Sequence, residues 1–155
     1  MQEDSPGRIE IAISPMEHHN GLPLPSYATP GSSGMDLLAA IKDCLILTPG
    51  SISLIPTGIR VAIPSGFEMQ IRPRSGLAIK YGITVVNAPG TVDSDYRGEI
   101  KVGLINLGTQ PFEISRGMRI AQAVICRVWR ACWQETSNLS VTQRGSGGFG
   151  HTGLK

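Results

Sequence analysis

The feature that most constrains this chain is a series of short apolar–polar alternations, cut by glycine or proline turns about every ten residues. Arg8-Ile9-Glu10-Ile11-Ala12-Ile13 opens it. Residues 51–55 follow Pro49-Gly50, residues 58–63 end at Pro64-Ser65-Gly66, and residues 67–72 end at Pro73. Further segments fall at 83–86, 100–105, 111–114 and 120–128. A period of two sends alternate side chains to opposite faces, so each segment has one face to bury. Many short strands joined by turns predict an all-β domain: a sandwich, barrel or jelly roll. The 19 glycines and 11 prolines among 155 residues agree with many turns. One short helix is predicted, capped by Ser75, continued by Leu77, Ala78 and Ile79, and closed by Gly82. No βαβ alternation is present, which argues against Rossmann and P-loop folds.

A net charge of +2 is too small for the strongly basic face expected of a nucleic-acid binder. The distribution says more than the total. No acid occurs from Ile114 to Gln134, where Arg116, Arg119, Arg127 and Arg130 fall, nor from Ser140 to Lys155. These are either anion-facing regions or solvated faces. Cys44, Cys126 and Cys132 form no C-x-x-C pair, and their odd number suggests reduced thiols in a cytoplasmic protein. The acidic start of the chain has the wrong chemistry for a signal peptide. No apolar run reaches the ~20 residues a membrane span needs.

Several segments could carry chemistry. Gly145-Ser146-Gly147-Gly148-Phe149-Gly150 matches G-x-G-x-x-G formally but neither follows a strand nor opens a helix. It is either a linker or, with Arg144, Phe149, His151 and Thr152, a segment that closes over a phosphate and a base. Arg74 and Ser75 sit at the start of the short helix, where free N–H groups favour an anion; an ordinary cap beside a surface arginine reads equally well. Residues 90–99 pack Asp93, Asp95 and Glu99 with Tyr96 and Arg97 between strands. A carboxylate there either activates a water or makes a structural Asp–Arg pair. Asp36, in the apolar stretch Gly34-Met35-Asp36-Leu37, either caps backbone amides or serves a metal site. Gln122 lies in a strand that reads as buried, where its amide must find partners in protein or ligand. His18 and His19 read as solvated loop residues.

Singly these segments are weak, but their order and spacing are specific. Gly34-Met35-Asp36-Leu37, Pro73-Arg74-Ser75-Gly76-Leu77-Ala78, residues 87–99, Arg119-Ile120-Ala121-Gln122 and residues 144–150 resemble the five ordered motifs of the trimeric dUTPases. The resemblance covers the chain from about Gly21 onward. It implies a distorted jelly-roll-like barrel of the β-clip kind in residues 1–137, and a Gly-rich C-terminal arm in residues 138–155 that closes the active site. It also implies a homotrimer with active sites at subunit interfaces. The implied reaction is Mg²⁺-assisted hydrolysis of dUTP to dUMP and pyrophosphate. That reaction limits uracil incorporation into DNA and supplies dUMP for thymidylate synthesis.

Carried over residue by residue, the resemblance makes Asp93 the carboxylate that activates the attacking water. Tyr96 packs on deoxyribose and excludes a 2′-hydroxyl. Asn87, with the hairpin backbone at Thr91 and Val92, reads the uracil edge. Arg74, Ser75 and Gly76 hold the phosphates, and Gln122 contacts the phosphate nearest the sugar. Asp36 acts on the metal side through water. Arg144 grips the phosphate chain, Phe149 stacks on uracil, and Gly150, His151 and Thr152 complete the arm. Two positions depart from the pattern: Val92 replaces a usual isoleucine, and His151 stands where serine is frequent. A deoxycytidine triphosphate deaminase of the same superfamily would build the third motif differently. A non-catalytic nucleotide sensor would lack Asp93 or the arm, and a structural β-trimer would leave Arg144 and Phe149 unexplained.

Overall fold

The computed structural model describes residues 7–149. In chain order the strands are β1 (Ala12–Pro15), β2 (Met35–Leu38), β3 (Leu45–Leu47), β4 (Ile52–Pro56), β5 (Ile59–Ala62), β6 (Phe67–Arg72), β7 (Ile83–Val85), β8 (Gly90–Val92), β9 (Lys101–Asn106), β10 (Phe112–Ile114) and β11 (Arg119–Arg127). Among the described residues, one α-helix, α1 (Ser75–Tyr81), and a 3-10 turn at Glu17–His19 interrupt them. The strands pair antiparallel as β1-β5, β10-β3, β2-β11-β6-β8 and β4-β9-β7. Neighbours in these sheets are mostly distant in sequence, which is the jelly-roll-like pattern of crossing connections.

Alternation decides what is inside. In β9 Val102 and Leu104 are buried while Lys101 is exposed. In β6 Met69 and Ile71 face inward. With Leu37, Leu47, Ile55, Ile59, Ile83, Ile114 and Ile120 they make one core. Each such side chain contributes about 1.5–3 kcal/mol of burial. Among the described residues Asn106, at the end of β9, is one of three buried polar residues, with Thr57 and His19. Its amide donates to the Leu47 and Gln110 carbonyls, both at 2.8 Å, and its oxygen accepts from the Gly108 amide at 2.8 Å. Its amide therefore stitches β9 to β3 without an unsatisfied group.

The structure corrects the sequence reading in places. The first strand starts at Ala12 rather than Arg8. Strands β2, β3 and β8 lie in segments without a clear alternation of their own. Ser75 is the first helical residue and not the cap. The capping position is Arg74, in an extended conformation (φ −88°, ψ 126°), with no side-chain capping bond. The helix closes at Gly82 as expected. Its φ of 71° is left-handed, and its N–H reaches the Ala78 and Leu77 carbonyls. A Cβ there would also collide with Gly108.

Candidate active site

The four-stranded sheet carries most of the candidate residues. Its register sets Asp36 opposite Gln122 and Gln122 opposite Arg72 across β2, β11 and β6. Just past Arg72, Pro73 keeps the chain extended, and Arg74 turns toward Asp36. Arg74 Nε donates to Asp36 Oδ1 at 2.9 Å, and Arg119 Nε lies 3.5 Å from Asp36 Oδ2. A register shift in β11 between Arg119 and Ala121 accompanies this approach of Arg119. Gln122 donates to the Pro73 carbonyl at 3.0 Å, so protein satisfies its amide nitrogen. Its side chain fills the space a Cβ at Gly34 would need. Two guanidinium groups around one carboxylate leave a local excess of positive charge. Ser75 and Gly76 lie exposed beside it.

The hairpin is the second cluster. Strand β8 pairs with β6, Ile71 opposite Gly90 and Met69 opposite Val92. Val92 points into the core at 8% exposure, so the missing methylene relative to isoleucine is a core matter. Thr91 is exposed. Asn87 lies in the turn before β8, and its amide group stands close to Gly90 and Gly103, positions that leave room for it. Asp93 follows β8, and the Tyr96 amide donates to its carbonyl at 3.1 Å. Asp93 borders two clefts. One, of about 250 Å³, is shared with Phe67, Glu68 and Arg130. The other, of about 290 Å³, is shared with Thr91, Tyr96 and Lys101.

Arg97 does not make the structural Asp–Arg pair. It donates to the Ser94 and Tyr96 carbonyls, at 2.7 and 2.9 Å. Among the described residues, no ion pair holds Asp93 or Asp95. Asp93 is therefore an exposed carboxylate on a braced hairpin, within reach of water.

The histidines overturn the solvated reading. His19 is buried, and its Nδ1 lies 3.0 Å from the Thr57 carbonyl. His18 Nε2 lies 2.6 Å from Glu99 Oε1. Glu99 had no assigned role in the sequence; its side chain is 12% exposed and also accepts from the Gly58 amide at 2.9 Å. Partial burial opposes its charge. The bonds from His18 and Gly58, with the charges of His18 and Lys101, outweigh that and hold its carboxyl below the usual range. Partners 81 residues apart leave no local pattern to find. Arg119 was also missed as a partner of Asp36, although it stood inside the fourth motif.

The C-terminal candidates join neither cluster. Arg144 donates to the Gly147 carbonyl at 2.8 Å, and Phe149 is fully exposed. Gly150, His151 and Thr152 lie outside the described residues. Among the described residues, no three His, Cys, Asp or Glu side chains gather in a metal-holding group. None of the helices described is long and apolar enough to cross a membrane.

Comparison with known proteins bears on the same residues. The dUTPase family model matches residues 20–153. A deoxyuridine 5′-triphosphate nucleotidohydrolase of Rickettsia typhi is 60% identical, over 94% of this chain and 98% of its own. One from the Wolbachia of Brugia malayi is 57% identical, over 94% and 95%. In fold, a dUTPase of Staphylococcus bacteriophage 80alpha solved with dUpNHpp superposes with a TM-score of 0.81, at 22% identity, over 94% of this chain and 99% of the phage chain. A dUTPase from phage phi11 of S. aureus, described for its coordination of a structural Mg(II) ion, superposes at 0.72 with 18% identity, over 84% and 98%. The ordered motifs, the β fold that carries them and these relatives agree: the chain belongs to the dUTPase family.

Proposed function

We propose that this chain hydrolyses dUTP to dUMP and pyrophosphate at sites built between copies of itself, three to an assembly. The carrying observation is the length of β6. Val92 pairs with Met69, so Asp93 falls beside Glu68, whereas Arg74 lies six residues further along from Glu68. At ~3.3 Å per residue the two stand roughly 20 Å apart, at opposite ends of one strand. A water held by Asp93 cannot attack a phosphate held by Arg74 of the same chain. Two copies arranged head to tail bring one hairpin to the other's arginine cluster. Repeating that heterologous contact closes a ring, and three copies make the smallest one beyond a pair.

In this reading Asn87 and the backbone at Thr91 and Val92 take the uracil edge, and Tyr96 covers the deoxyribose. Asp93 takes a proton from the attacking water. Arg74, Ser75, Gly76 and Gln122 hold the phosphates, and Arg144 adds a second guanidinium. Phe149 stacks on the base, with Gly150, His151 and Thr152 finishing the closure, and residues 138–155 act as the arm. Asp36 orients Arg74 and meets hydrated metal at most through water, since both its oxygens already face guanidinium groups. Those residues fit Mg²⁺, which keeps its water and travels on phosphate oxygens without a protein cage. Bound there, it supplies charge neutralisation on the leaving pyrophosphate. The described cysteines are all free thiols, which suits the cytoplasm and its nucleotide pool. There the reaction keeps uracil out of DNA and yields dUMP for thymidylate synthesis.

Two measurements test the reading. Pyrophosphate release from a panel of nucleoside triphosphates with Mg²⁺ is expected to be rapid for dUTP and slow for UTP, dTTP and dCTP. Inactive Asp93→Asn and Arg74→Ala chains, mixed and reassembled, are expected to regain activity, because some interfaces then hold both intact halves. Absence of dUTP hydrolysis by the folded protein ends the reading, and absence of complementation ends the shared site.

A further inference from the structure

We infer that Glu99, gripped by His18, is a positioning residue for the ring of Tyr96 and thereby sets how strictly the site rejects a ribose. The inference rests on the dUTP reading above and deepens it. Tyr96 is 46% exposed, so little packing holds its ring. Its hydroxyl donates to the backbone carbonyl of Glu99 at 2.9 Å, and its ring lies over Gly98. A Cβ at Gly98 would collide with the hydroxyl and with Cζ. The ring is thus placed by one carbonyl and one missing side chain.

That carbonyl belongs to the residue whose carboxylate is clamped. Glu99 Oε1 accepts from the Gly58 amide at 2.9 Å and bonds His18 Nε2 at 2.6 Å, while Lys101 Nζ stands 3.8 Å from Oε2. The same 3-10 turn makes a second grip. His19 is buried against the Thr57 carbonyl, and the Thr57 hydroxyl donates to the Ile100 carbonyl at 2.5 Å. Gly58 has to be glycine for this: its φ is 69°, and a Cβ would lie 2.8 Å from His19 Cβ. Two neighbouring histidines therefore hold the β4–β5 turn and the exit of the hairpin together. The entrance of the hairpin is already held by the ladder to β6. At the exit, backbone bonds from the Thr57 amide to the Ile100 carbonyl and from the Ile100 amide to the Ile59 carbonyl hold the chain from Ile100 onward. The Glu99 carboxylate adds the hold one residue nearer Tyr96, at the residue whose carbonyl the ring uses.

The consequence is specific to the sugar. A ring held flat leaves no room for a 2′-hydroxyl, whereas a ring free to tilt admits one. Loosening the grip relaxes discrimination while Asp93 keeps its role: it precedes the exit, and among the described residues it shares no ion pair with His18 or Glu99, although it and Glu99 line one cleft.

The test uses the full, assembled protein with dUTP and UTP, reading kcat and KM separately for His18→Ala, Glu99→Gln, Gly98→Ala and the His18→Ala/Glu99→Gln double variant, with thermal melting of each. The ratio of kcat/KM for UTP to that for dUTP is expected to rise about tenfold in His18→Ala and Glu99→Gln and further in Gly98→Ala. The kcat for dUTP is expected to stay within about twofold, and the double variant to add little to the stronger single, as for two ends of one interaction. His18→Asn, which keeps a short donor, is expected to recover part of the discrimination and serves if the alanine variant does not fold. Equal losses on both nucleotides, or an unchanged ratio, overturn the inference while leaving the dUTP reading intact. A wild-type protein that does not hydrolyse dUTP overturns both.

Discussion

Residues 90–99 and residues 142–149 look alike as text: polar, glycine-bearing, each with one arginine and one aromatic ring. In space they differ. Arg97 closes its turn by two carbonyl bonds and Arg144 closes its own by one, so local bonding is similar. The hairpin adds a ladder to β6 and the long-range grip on Glu99. Among the described residues, the C-terminal segment bonds to its own neighbours, such as Gly145 to Thr142, and Phe149 stands fully exposed with a φ of 50°. Local hydrogen bonds shape a turn but do not locate it. Location comes from contacts distant in sequence, or from a ligand that supplies them on binding.

The sharpest break between the two regions is chemical. Asp93→Asn is expected to lower kcat about 10³-fold with little change in KM, measured by steady-state pyrophosphate release. Truncation before Arg144 comes next. It is expected to cost about 10²-fold in kcat/KM and to leave melting temperature and assembly unchanged, checked by calorimetry and sedimentation. A large fall in melting temperature would mean the segment belongs to the fold after all. Phe149→Ala alone is expected to raise KM for dUTP about tenfold, the scale of one base–aromatic stack.

A smaller effect probes the hairpin's anchor. Glu99 has its carboxyl held below the ordinary value of 4.5, so its ionised form stabilises the folded protein above that pH. The contribution is lost as pH falls through the lowered value. The groups facing it are His18, Lys101 and the Gly58 amide, and His18 itself shares a shallow cleft with Glu17, Lys42 and Arg116. The melting-temperature gap between wild type and Glu99→Gln is expected to be full at neutral pH and to shrink in acid below about 4.5. Smallest of all, His151→Ser is expected to flatten the rise of KM with pH near the histidine pKa of about 6.5.

Much of this was legible beforehand. The strand at Phe67–Arg72 spans the residues its alternation predicts, and the helix closes at Gly82 as its glycine predicts. Periodicity and turn residues are local, and local physics decides them. The motif order singled out Asp36, Arg74, Asp93 and Gln122 as candidates, and the fold sets Asp36 beside Arg74 and Gln122. What escaped was set by partners. His18 and His19 read as solvated because they lie in a loop region; their partners are Glu99 and Thr57, far along the chain. Ser75 reads as a cap by type, yet Arg74 occupies that position with its guanidinium drawn to Asp36.

The amino-acid sequence by itself determined the class of fold, the family and the inventory of reactive groups, since each depends on residue type and spacing along the chain. Only the tertiary structure decided which of those groups share a place. Strand register put Asp36 beside Gln122, while one strand's length kept Arg74 from Asp93. Register and reach are sums over contacts distant in the chain, and no local pattern contains them.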